Sequence, residues 1–86
     1  MMKVKKPSEK EIALTESWSI WSKEPSVFQW YYDDKETCLI LEGNAVVTGN
    51  DGSTISFGPG DWVEFEKGLE CKWKIDKAIK KRYKFG

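Results

Sequence analysis

The fold is decided by two stretches, Glu36-Thr37-Cys38-Leu39-Ile40-Leu41-Glu42-Gly43 and Gly60-Asp61-Trp62-Val63-Glu64-Phe65-Glu66-Lys67-Gly68. Each joins a short apolar or alternating run to a closing glycine, the pattern of a β-strand that ends in a tight turn. Strand-like segments of this kind cover residues 27–32, 37–42, 45–48, 54–57, 62–65, 71–75 and 79–85. Short strands at a spacing of about 8–12 residues, without a long helical pattern, predict an all-β antiparallel sandwich or barrel.

The length and composition fit one globular domain over residues 1–86, with an N-terminal arm (1–17) and a barrel (18–86). A chain this short buries roughly 60% of its unfolded surface, which leaves no room for a second core. The N-terminus has no apolar run typical of a secretory signal, so we expect a cytoplasmic protein. The two cysteines, Cys38 and Cys71, are then expected to be reduced thiols rather than a disulfide.

The charge balance argues against two classes of partner. Fourteen basic residues match fourteen acidic ones, and this lacks the positive excess of proteins that bind nucleic acid or anionic membranes. The lysines and arginine near the C-terminus alternate with other residues, so they are expected to line the outer side of two strands; they are Lys72, Lys74, Lys80, Arg82 and Lys84.

The N-terminal region has its own signals. Ser8 and Glu11 have the spacing of a capping box, which predicts one or two helical turns just after Pro7. After Ser17 the pattern changes to a period of two, and Pro25 ends the run. We therefore expect an edge strand followed by a bend.

Residue parity assigns the interior. If the turn at residues 33–35 keeps the register, one inward face carries Trp30, Tyr32, Glu36, Cys38 and Ile40. The matching face of a later strand carries Cys71, Trp73 and Ile75.

These residues resemble the cupin superfamily. Glu36 followed by Gly43 is similar to the second half of the first cupin motif, and Gly60-Asp61 with Gly68 and Cys71 is similar to the second motif. The resemblance extends over roughly residues 4–85 and is to the minimal cupins grouped with ureidoglycine aminohydrolase, which are single-domain jelly rolls. It implies a small jelly-roll barrel of antiparallel strands.

The metal site that the resemblance implies is incomplete, because the chain contains no histidine. Trp30, Tyr32 and Cys71 stand where the family has its three histidine ligands. An indole cannot act as a ligand, since its nitrogen only donates hydrogen bonds. Carboxylate, thiolate and phenolate are an unusual set for the metals of this family, so we expect no cofactor; a residual metal, zinc above all, would be held by Glu36 and Cys71.

Two interpretations of the inward residues remain open. Trp30, Tyr32 and Trp73 either fill the barrel as core aromatics or line a pocket, and Cys38 and Cys71 are either buried hydrophobic residues or parts of that pocket. Glu36 is harder to explain by packing, because a carboxylate on an apolar face needs a partner.

The main hypothesis is a small-molecule-binding protein. Its pocket would consist of Trp30, Tyr32, Glu36, Cys38, Cys71 and Trp73 and would suit a sugar, a ureido or amino compound, or a small cation. Glu36 would accept a hydrogen bond or serve as an acid/base, and Tyr31 or Tyr32 would donate.

Two alternatives stay open. One is a small enzyme that acts on ureido, amino-acid or carbohydrate substrates, with Glu36 and Tyr32 as catalytic residues. The other is a homodimeric assembly module, with Trp18, Ile20 and Trp21 as anchors on an exposed strand face.

Overall fold

Seven antiparallel strands and one short helix form the molecule, and the computed structural model describes all residues 1–86. In chain order the elements are β1 (Met2–Lys5), α1 (Glu9–Leu14), a 3-10 turn (Thr15–Ser17), β2 (Ser19–Lys23), β3 (Ser26–Tyr31), β4 (Glu36–Gly49), β5 (Thr54–Phe57), β6 (Trp62–Phe65) and β7 (Glu70–Phe85). The predicted all-β jelly roll is confirmed. No helix in the molecule is both long enough and apolar enough to cross a membrane.

Two long strands, β4 and β7, hold the jelly roll together. They pair with each other from Glu36 opposite Phe85 to Gly49 opposite Cys71. One half of this pair continues outward as β1-β6-β4-β7-β2, which we call the β6 leaf, and the other half as β5-β4-β7-β3, the β5 leaf. Every pairing in both leaves is antiparallel.

The prediction of two separate strands in place of β4, and of two in place of β7, is wrong. Segments 37–42 and 45–48 are one strand, β4, and segments 71–75 and 79–85 are one strand, β7. The turn signal at Gly43 marks register shifts between Ile40 and Ala45 rather than a break. Gly43 has a φ of +90°, and a Cβ there would overlap the carbonyl oxygen of Ala78, so only glycine fits this bend without strain.

The N-terminal arm is part of the sheet. β1 pairs with β6, with Met2 opposite Phe65, so the sheet begins well before the boundary predicted at residue 18. The predicted helix is confirmed: the amide of Glu11 donates to the Ser8 hydroxyl at 3.2 Å, and the amide of Ser8 donates to the Glu11 carboxylate at 2.9 Å. This reciprocal pair satisfies two amide groups that the first turn would otherwise leave free.

The predicted edge strand is β2, which pairs only with β7. Its side chains do not form the exposed aromatic anchor that was expected. Trp18 packs against Trp62 with ring centres 5.5 Å apart, and Trp21 packs against Trp73. Of the three residues proposed as anchors only Ile20 is exposed.

Parity predicted the interior correctly at most positions. The predicted inward residues that are buried are Tyr32, Glu36, Cys38, Ile40, Cys71, Trp73 and Ile75. Trp30 is the exception, with 49% of its surface exposed. Of the predicted outward cations, Lys72, Lys74 and Lys84 are exposed, while Lys80 and Arg82 are half-buried.

Candidate functional site

An aromatic pocket opens where the C-terminal part of β7 faces the end of β3. The cavity measures about 260 Å³. Nine residues line it: Trp21, Phe28, Trp30, Tyr32, Glu36, Trp73, Lys81, Tyr83 and Phe85. Seven of the nine are aromatic. Four come from β7 at odd-numbered positions, as expected for one face of a strand.

A buried ion pair lies in this pocket. The Lys81 ammonium donates to Glu36 Oε2 at 2.7 Å, and only 7% and 3% of the two side chains are exposed. Glu36 begins β4, while Lys81 lies on β7 opposite Ile40. Because the two strands are paired, their side chains meet although 45 residues separate them in sequence.

Aromatic rings surround the Lys81 ammonium. Its nitrogen lies 4.8 Å from the ring centres of both Trp21 and Trp73, and 6.0 Å from that of Tyr83. At these distances the electron-rich ring faces attract a cation, most strongly for tryptophan. The lysine is therefore held by one carboxylate and by the rings that form the wall.

Tyr32 lies beside the ion pair. Its ring stacks on Phe65, with ring centres 4.8 Å apart. It contacts Trp30 edge to face, with ring centres 6.4 Å apart. Burial, together with the negative charge of the nearby Glu36, raises the pKa of Tyr32 far above its usual value. The hydroxyl is therefore protonated at neutral pH.

Neither cysteine lies on the pocket wall. Cys38 belongs to the closed core and is completely buried, and burial raises the pKa of its thiol to about 12. Burial also raises the pKa of the Cys71 thiol, to about 11, and Cys71 Sγ contacts the carbonyl oxygen of Trp30 at 3.6 Å. Both thiols are free and protonated at neutral pH, so neither has the low pKa of a reactive cysteine.

The structure brings together four of the residues selected from the sequence, Trp30, Tyr32, Glu36 and Trp73, and leaves out Cys38 and Cys71. Trp30 stands at the mouth rather than inside. Tyr31, the alternative donor, is exposed and outside the lining.

Sequence reasoning missed five of the lining residues: Trp21, Phe28, Lys81, Tyr83 and Phe85. Lys81 is the most important omission. The alternation that placed Lys80 and Arg82 outward also requires residue 81 to point inward, and this was the available signal. The same parity places Tyr83 and Phe85 beside it.

The residues do not fit the metal that the cupin resemblance implies. Glu36 is the one carboxylate on the pocket wall. It already accepts a hydrogen bond from the Lys81 ammonium. No group of three or more histidine, cysteine, aspartate or glutamate side chains comes together anywhere in the molecule. A cation is already present beside Glu36, and it is an ammonium.

Comparison with known proteins identifies relatives of this chain. The family model described as the EutQ-like cupin domain matches residues 12–83. A DUF861 family protein from Thermotoga maritima is 43% identical, with a TM-score of 0.96 and complete coverage of both chains. No curated protein matches the chain.

Two further solved structures are more distant. A DUF861 family protein of unknown function from Pseudomonas syringae is 25% identical, with a TM-score of 0.70, over 78% of this chain and 29% of that one. The EutQ protein of Clostridium difficile is 16% identical, with a TM-score of 0.68, over 74% of this chain and 50% of that one. This chain therefore spans half or less of the length of these two proteins. At 16% identity, the similarity to the Clostridium difficile EutQ protein shows a shared fold only.

Proposed function

This chain belongs to the EutQ-like cupin family, and on that premise we propose that it binds a small molecule in its aromatic pocket. The observation that carries the proposal is the buried Glu36–Lys81 ion pair inside an otherwise aromatic cavity. A few polar groups within a concave apolar wall are the usual form of a site that orients a small ligand.

Stability alone is a poor explanation for the pair. Removing two charges from water costs several kcal/mol per ion, and apolar residues of similar volume often stabilise a fold as well or better. The ion pair also lies beside an open volume of about 260 Å³ rather than in the closed core. Both features favour recognition over packing.

The walls indicate the kind of ligand. The volume is near the lower end of ligand pockets, so the ligand is small. An exposed ring such as that of Trp30, at the mouth of the pocket, packs well against a flat group or the apolar face of a sugar. We propose a sugar or a ureido or amino compound, whose polar group meets Glu36 and Lys81.

We place binding ahead of catalysis. The alternative from the sequence, acid/base chemistry by Glu36, requires a carboxylate that can reach a substrate proton. In this pocket the Glu36 carboxylate already accepts a hydrogen bond from Lys81 at 2.7 Å.

A panel of sugars, ureido compounds, amides and amines tests the proposal by thermal shift. A compound at 100 times its Kd stabilises the folded state by about 2.7 kcal/mol, which is readily measured in a domain of this size. Absence of a shift from every compound at millimolar concentration would contradict the proposal.

A matched pair of variants locates the effect. Trp30 and Tyr31 are neighbours on β3 and are 49% and 53% exposed, but only Trp30 lines the pocket. Trp30→Ala should weaken the ligand-induced shift, whereas Tyr31→Ala should leave it unchanged. Equal effects of the two variants would place the ligand elsewhere.

A further inference from the structure

We infer that the Lys81 ammonium is the resident cation of the pocket and that it binds the oxygen of a neutral carbonyl group attached to a flat apolar body. The inference rests on the proposed function and narrows its ligand to a neutral carbonyl compound, such as the ureido class, which sets aside sugars and charged amines. The side chain of Lys81 is more than nine-tenths buried, and its nitrogen makes one hydrogen bond, to Glu36. An ammonium has three N–H donors, so two are left to face the aromatic wall.

The wall offers these donors no oxygen acceptor of comparable strength. The nearest groups around the nitrogen are the rings of Trp21, Trp73 and Tyr83, which attract the charge but accept hydrogen bonds only weakly. Leaving donors of a buried charge without an acceptor is costly. A ligand oxygen at this point removes that cost, which gives binding its driving force.

The charges of the pocket require a neutral ligand. Glu36 and Lys81 cancel, and the other lining residues are uncharged aromatics. A carboxylate ligand would add an unbalanced negative charge next to Glu36 in a site of low dielectric. A protonated amine would add an unbalanced positive charge next to Lys81.

Planarity favours a carbonyl compound over an alcohol. The carbon that carries an alcohol oxygen is tetrahedral, so at least one of its substituents lies out of the plane of an attached ring. A carbonyl oxygen only accepts, and its two lone pairs match the two remaining N–H groups of Lys81. A planar carbonyl compound also stacks on the ring faces.

Three probes with the same ring test this chemistry: acetophenone (a ketone), 1-phenylethanol (an alcohol) and benzoate (an anion). Binding is followed by NMR through the indole N–H signals of Trp21, Trp30 and Trp73. We expect acetophenone to bind at least tenfold more tightly than the other two, because the alcohol loses the planar group that stacks on the rings and the anion adds a negative charge beside Glu36. Equal affinity of the three would overturn the inference.

Infrared spectroscopy of carbonyl-labelled acetophenone provides a second readout in the unmodified protein. A hydrogen bond from an ammonium polarises the carbonyl, so its stretching frequency should fall below the value in water. A bound carbonyl with an unshifted or raised frequency would contradict the role of Lys81.

Variants assign the effect to Lys81. Lys81→Met leaves Glu36 without its cation and can unfold the protein, so the double variant Glu36→Gln/Lys81→Met, which removes both charges, is the main test. It should keep the fold and lose at least tenfold in acetophenone affinity. Retained affinity in the folded double variant would overturn the inference while the pocket proposal stands. If the ketone, ureido and amide compounds all fail to bind but a sugar or an amine of the panel binds, the inference is again wrong and the pocket proposal stands; if nothing binds, both are wrong.

Discussion

The interior of this protein has two parts that share Tyr32 and Trp73 but are built differently. The closed core is a cluster of 13 buried residues, all hydrophobic. The aromatic pocket holds both buried charged side chains of the molecule, Glu36 and Lys81. Both parts include side chains from β4 and β7. The same strands can therefore supply a packed core and a polar site, and position along the strand decides which.

The largest expected difference between the two parts is the cost of truncating an aromatic ring. Phe65 is completely buried and packs against Tyr32, Phe57 and Trp73. Phe65→Ala should lower the free energy of unfolding by about 4 kcal/mol, since it leaves a cavity in the core. Phe85→Ala, at the pocket wall where 47% of the residue is exposed, should cost less than about 1 kcal/mol. Urea unfolding measures both, and similar costs would contradict the division.

The ion pair provides the next largest effect. Lys81→Met should cost about 3 kcal/mol because it leaves Glu36 charged, buried and without its cation. Glu36→Gln/Lys81→Met should recover most of this loss. A double variant less stable than the single one would mean that the pair acts as a stabilising element and would weaken the functional interpretation of the pocket.

The bend that separates the two parts of β4 depends on Gly43. Gly43→Ala should cost about 2 kcal/mol or more, because a positive φ and an overlap with the Ala78 carbonyl act together. Gly60 is the matched control: its φ is +86°, yet a Cβ there would meet nothing within 4 Å. Gly60→Ala should cost about 1 kcal/mol, and equal losses would show that the contact at the bend is unimportant.

High pH should weaken the core through Cys38. Burial raises the pKa of this thiol to about 12 from its ordinary value of 9.0, so above pH 9 the unfolded chain loses a proton that the folded chain keeps. The contribution to stability is fully present below pH 9 and is lost as pH rises toward 12, by about 1.4 kcal/mol per pH unit within that window. Urea unfolding at pH 8–11 should therefore show a steeper decline for the unmodified protein than for Cys38→Ala; parallel declines would contradict this.

The smallest effect on stability concerns the outer surface. A homodimer remains a prediction from the sequence, and Ile20 is the exposed apolar residue of β2 that would contribute to it. Ile20→Asp should yield a monomer while changing the unfolding free energy by less than about 0.5 kcal/mol. Light scattering across a dilution series measures this, and an unmodified protein that is monomeric at every concentration would remove the prediction.

The two-residue alternation of inward and outward side chains predicted most of the fold and part of the site. Alternation placed Tyr32, Glu36 and Trp73 inside because every second residue of a strand shares a face. It did not reveal that β4 continues through Gly43, since a bulge and a turn have the same local signal. β1 was not predicted because Val4 is its only β-branched residue and lysines stand on both sides of it. This composition is typical of a protected sheet edge.

Alternation could have predicted that Lys81 points inward, but not that its charge is buried against Glu36. A lysine among other basic residues has the composition of a solvent-facing strand, and burial of its charge depends on a partner 45 residues away. The inward position predicted for Trp30 is wrong. Its parity is inward, but β3 ends at Tyr31, and the Trp30 ring lies at the open mouth of the pocket.

The continuity of β4 and β7 through both leaves has a consequence for how the molecule opens. Neither leaf keeps a complete set of strands if the other comes apart, because the same two backbones run through both. Backbone amides at opposite ends of the jelly roll should therefore exchange with solvent deuterium together, in one cooperative event rather than leaf by leaf. A molecule held in the pocket would then slow exchange at Val47, in the β5 leaf, as strongly as at Thr37 in the β6 leaf.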